Sequence, residues 1–90
     1  MDTVLKLFKI ALGITHDKRD EYYTQMLEAR KAELEEKGVS LNLSQAEDQI
    51  LLCDYAEWMY RKRTEDVPLA QNLQWRIRNR IVKGRANHGT

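Results

Sequence analysis

The sequence is short of nearly everything that builds a reactive site. A single cysteine, Cys53, excludes an intramolecular disulfide and any thiolate-based metal centre, and points to a reducing compartment. The two histidines, His16 and His88, sit at a helix start and in the C-terminal stretch, with no partner placed beside either. No glycine-rich phosphate loop occurs, and "KGR" at Lys83–Arg85 lacks the spacing of one. No apolar run approaches the roughly 20 residues of a membrane span. The opening "MDTVLKLFKIALGI" is apolar but broken by Lys6 and Lys9, and no small-residue cleavage site follows it. It reads as a helix, not an export signal. Carboxylates are plentiful, yet "AELEEKG" has the form of a solvated helix end. The expectation is therefore no enzyme, no metal and no cofactor.

What is present is charge and helical periodicity. Ninety residues make one domain near the small end of what closes a core unaided, and 32% of them are charged. The net charge of +1 hides a split. Residues 61–90 carry eight basic and two acidic side chains, a balance of +6, and the other 60 residues balance at −5. Such polarity suits two different neighbours, or one end of the molecule meeting the other end of a second copy.

The pattern predicts four helices in a compact all-α bundle. Gly13, Gly38 and Gly84 each follow a helix-period stretch, as a residue after a C-cap does. The first helix runs from about Thr3 to Leu12, with Val4, Leu5, Phe8, Ala11 and Leu12 on one face. The second starts after "THD", where Thr15 or Asp17 can cap it, and Tyr23, Met26, Leu27, Arg30 and Leu34 keep its period. Ser44 and Glu47 have capping-box spacing for the third. "DVP" puts Pro68 in the first turn of the fourth, whose stripe is Leu69, Leu73, Ile77 and Ile81. Residues 1–82 form the domain, and 83–90 are expected to be a flexible basic tail. The expected core is Phe8, Leu12, Leu27, Leu52, Tyr55, Ala56, Met59, Leu73 and Ile77.

The stretch "DYAEWMYRKRTEDVP" mixes aromatics with cations, as nucleic-acid stacking sites do. However, Ile50 to Tyr60 leave little polar surface, so this helix is central and its aromatics belong to the core or an interface. Arg61, Lys62 and Arg63 fall in its last turn, where cations suit the helix dipole. On the fourth helix, Trp75 lies about 200° from Leu73, with Gln71, Arg78, Asn79 and Val82 on the same side. A tryptophan flanked by arginine and amides, facing away from its own helix's core stripe, has the make-up of an interface anchor. Cover by another part of the same chain is the plainer alternative. Arg76 and Arg80, one turn apart, form a second basic strip able to grip a carboxylate or a phosphate.

The order "LKLFKIALGI", "THDKRDEYYTQMLEARKAEL", "DYAEWMYRKR" and "VPLAQNLQWRIRNRIV" resembles the small head–tail connector (adaptor, head-completion) proteins of tailed bacteriophages, over about residues 3–82. The resemblance rests on apolar pattern, the "LGI" turn and the aromatic-basic end of the third helix, not on a catalytic motif. It implies an all-α virion subunit that assembles, commonly twelvefold, as a ring under the portal. That ring would extend the DNA channel used in genome ejection and dock tail or stopper proteins. Assembly would take place in the host cytoplasm, and DNA would pass through the lumen without sequence-specific binding. No membrane partner is implied.

No functional residue transfers from the resemblance, so sites follow from charge. A ring needs one patch to meet a different patch on the next copy. The expected portal or subunit interface is Trp75, Arg76, Arg78, Arg80, Val82, Lys83 and Arg85. A channel wall should not hold phosphate, so Glu33, Glu35, Glu36 and Glu47 are expected nearer the lumen. The alternative is a small helix-turn-helix-like DNA-binding regulator reading bases through "QNLQWRIRNR". Against it stand the long acidic connection "RTEDV" and a pI of about 7.9. A helical accessory subunit of a cellular complex is a third reading.

Overall fold

A computed structural model describes the backbone of residues 1–63 and 68–88, and the side chains of 1–63 and 68–83. Four helices follow one another: α1 (Asp2–Leu12), α2 (Asp20–Glu36), α3 (Ala46–Lys62) and α4 (Gln71–His88). Among the described residues there is no strand. The all-α bundle is as expected.

Two of the three glycine stops hold. Gly13 takes φ 73° and Gly38 φ 102°, the left-handed region where a side chain would be strained. The amide of Gly13 donates to Ile10, and that of Ile14 to Lys9, closing the end of α1. Gly84 is different, because α4 continues through it to His88 instead of ending near Val82. Residues 83–88 are thus part of the α4 backbone. Once the turns before and after are in register, a glycine costs a helix only about 1 kcal/mol and need not end it.

The expected N-terminal signals fare less well. Neither Thr15 nor Asp17 caps α2, whose N-cap is Arg19 without a side-chain bond. The N-cap of α3 is Gln45, not Ser44, and no capping box forms. Asn42 takes the serine instead, accepting from both the Ser44 amide and hydroxyl. Pro68 lies three residues ahead of α4 rather than in its first turn. The Ala70 carbonyl accepts the first helical bond, from the Gln74 amide at 3.0 Å. Asp66 and Val67 of "DVP" lie outside the described residues.

The central place of α3 follows from its composition. It touches α1, α2 and α4, whereas α4 among the helices touches only α3. Phe8 from α1 packs against Tyr23 of α2 and edge-on to Tyr60 of α3, with ring centroids 5.6 and 5.8 Å apart. Around this aromatic knot Val4, Leu27, Leu34, Val39, Leu52, Tyr55 and Ala56 are buried. Of the expected core only Leu12 and Met59 are half-buried; Leu73 and Ile77 are buried where α4 meets α3. Ala11, placed on the inner face of α1 by its period, is exposed.

Candidate interaction surface

The cations of α4 divide into two sets by what their helix faces. Arg76 and Arg80 flank the Leu73–Ile77 stripe, and both turn inward to carboxylates of α3. Arg80 Nη1 donates to Asp48 Oδ1 at 2.6 Å, and its Nη2 to the Ser40 carbonyl at 2.8 Å. Arg76 Nη1 meets Asp54 Oδ2 at 2.9 Å. Asp48 is the one buried charged residue among those described, 5% exposed. Its second oxygen accepts the Asn42 amide at 2.7 Å. The Arg80 hydrogen bond holds the Asp48 carboxyl below the usual range, more than burial raises it, and the Asn42 amide lowers it further. Arg80 in turn is raised by the same bond. The pair pins three segments together: the turn after α2, the first turn of α3, and α4.

Arg76 and Arg80 do grip carboxylates, but those of their own chain. Glu33, expected toward a channel, also faces inward: the Tyr55 hydroxyl donates to it, and Arg30 Nε lies 3.2 Å from its other oxygen. Burial first, and the Glu33 bond second, push the Tyr55 hydroxyl far above its ordinary pKa. Glu35 pairs with Lys31 at 3.3 Å on the surface of α2. Glu36 and Glu47 are exposed and, among the described residues, have no ion pair.

The outer face of α4 is as expected. Trp75 is 65% exposed and Val82 59%, with Gln71, Arg78, Asn79 and Lys83 exposed beside them. Neither Arg78 nor Lys83 meets a carboxylate among the described residues. The side chain of Arg85 lies outside those residues. A cleft of about 150 Å³ runs between Trp75 and Asn79 on one side and Glu47 and Leu51 on the other, well under the volume of a usual small-molecule site. At the C-terminus of α3, Lys62 lies over the Trp58 ring at 4.9 Å, and Arg63 donates to the Tyr22 hydroxyl. The aromatics and cations of "DYAEWMYRKR" thus engage one another and the bundle.

Burial, ahead of the Asp54 and Glu57 charges, raises the Cys53 thiol to about 11, so it stays protonated and inert at neutral pH. Among the described residues no group of His, Cys, Asp and Glu could hold a metal, and no helix is long and apolar enough to cross a membrane. No family model, curated protein or solved structure matches the chain.

The residue that sequence reasoning missed is Asp48. Its signal was legible: it stands three, four and seven residues before Leu51, Leu52 and Tyr55, on the core side of α3. An acid on that face calls for a buried cation, and Arg80 supplies it.

Proposed function

We propose that the chain is a structural subunit of a virion ring, a head–tail connector seated between a portal and the tail. The observation that carries this reading is the outer face of α4, where Trp75 and Val82 are exposed among Arg78, Lys83 and amides on a helix that, of the other helices, touches α3. A large exposed aromatic among cations suits a protein interface. Nothing in the geometry of the described residues assembles a nucleophile with a base. The acids of α3 neutralise Arg76 and Arg80, which leaves few phosphate contacts for a helix-turn-helix reader. Glu36 and Glu47 remain as the acids free to line a channel that DNA slides past.

The test is native mass and negative-stain imaging of the purified chain over a range of concentration and salt. A closed ring with a hole wide enough for duplex DNA supports the connector. A stable dimer that binds duplex DNA, with affinity falling steeply as salt rises, replaces it with the regulator.

A further inference from the structure

Two exposed helix faces of this chain share one spacing and carry opposite charge. On α4, Gln71, Trp75, Arg78 and Val82 follow one another at intervals of four, three and four residues, and all four are exposed. Arg85 is the next residue at that spacing. On α2, Glu21, Gln25, Glu28, Ala32 and Glu35 keep the same four-three alternation, and all five are exposed. That alternation averages 3.5 residues, the period at which two helices stay in contact along a seam. The two stripes are matched in length, each about 21 Å if Arg85 is counted. One offers a tryptophan and the cation of Arg78. The other offers carboxylates and, at Ala32, a small residue that leaves room for a large one.

Among the described residues the backbones of α2 and α4 do not come together within one subunit, and each helix packs against α3. Glu21 and Glu28 have no ion pair among the described residues, and neither does Arg78. The single pair on either stripe, Glu35 with Lys31, is an exposed bond within one helix, of a kind worth little. The unpaired cation Arg78 on one stripe is thus complementary to the carboxylates on the other.

We infer that α4 of one copy docks its Trp75–Arg78–Val82 face along the Glu21–Glu28–Glu35 face of α2 on a second copy. Each subunit contributes a different face to the contact, so the arrangement is head-to-tail and propagates into a ring or a filament. This deepens the ring reading by naming its lateral contact, and rests on that reading for closure.

Charge exchange tests it. Arg78→Glu and Glu28→Arg change exposed side chains with no ion-pair partner among the described residues, and circular dichroism verifies that both variants fold. Each variant alone should lose association about tenfold or more, seen by sedimentation, because like charges then face each other. Mixed in equal amounts they should recover it, since both junctions of an alternating chain are again complementary. The double variant should assemble by itself. Trp75→Ala should weaken association about thirtyfold without rescue by either partner. Variants that assemble as well as the natural chain overturn this contact and leave the ring standing. Loss in both single variants without recovery on mixing also overturns the pairing. A natural chain that stays monomeric at millimolar concentration overturns the contact and the self-assembling ring together.

Discussion

The body of α1, α2 and α3 and the arm formed by α4 are held by different physics. In the body, Phe8, Tyr23 and Tyr60 interlock three helices, and Leu27, Leu34 and Leu52 are wholly enclosed. In the arm, two buried apolar residues, Leu73 and Ile77, share the joint with two arginine–aspartate pairs. Apolar packing is non-directional and tolerant of salt and pH, whereas ion pairs are directional and answer to both. A small chain that divides its helices in this way should lose the hold on its arm to salt or acid before its body gives way.

The largest loss of stability is expected in the body. Phe8→Ala removes the ring that α1 sets against Tyr23 and Tyr60, and should cost about 3–5 kcal/mol, because a buried aromatic leaves a cavity its neighbours cannot fill. For a domain of this size that approaches the whole stability. Thermal unfolding followed by circular dichroism should then show a depressed transition in which all four helices melt together.

Asp48→Ala separates arm from body. It strands Arg80 in a half-buried site and leaves the Asn42 amide without its acceptor, at a cost of about 3 kcal/mol. Unlike Phe8→Ala, the loss should concentrate in α4 and the 40–45 turn. Amide exchange should accelerate at α4 residues such as Ile77 while Leu52 stays protected. Uniform acceleration across all four helices would show that arm and body are one cooperative unit.

Acid should produce the same separation without mutation. The folded-state pKa of Asp48 is lowered, so its contribution is complete above the ordinary carboxylate pKa and is lost as pH falls through the lowered value. Between those limits Trp75 and Trp58 fluorescence should change before the far-ultraviolet helix signal collapses. In Asp48→Asn that early phase should be absent.

These experiments also mark what the chain made legible. Helix number, the Gly13 and Gly38 stops, the all-round apolar character of α3 and the exposed side of Trp75 follow from period and glycine alone, since they depend on neighbours a few residues away. The partners of Arg76, Arg80 and Glu33 lie 22, 32 and 22 residues off, and no local pattern encodes which carboxylate or hydroxyl a long side chain will reach. Asp48 stands between the two cases. Its position on the core face was readable, and its need for a cation followed, but the identity of that cation required the fold. The N-cap of α3 departs from the capping-box reading because Asn42 captures Ser44 in a local turn, an alternative open to any serine near a helix start.

The smallest effect is expected where two pairs that look alike in sequence differ in burial. Arg76 and Arg80 are one turn apart and each binds an aspartate of α3, yet Asp54 is 39% exposed by its side chain and Asp48 only 7%. Water and salt screen the outer pair, so Arg76→Ala should cost no more than about 1 kcal/mol, with little left of that at high salt. The inner pair keeps its strength in salt, since solvent does not reach the carboxylate. Thermal melts of Arg76→Ala and Asp48→Ala at low and high salt would therefore diverge. The first should approach the natural chain as salt rises, and the second should stay well below it. If both deficits shrink together, the inner pair is solvated, and the arm is held by Leu73 and Ile77 rather than by a buried clamp.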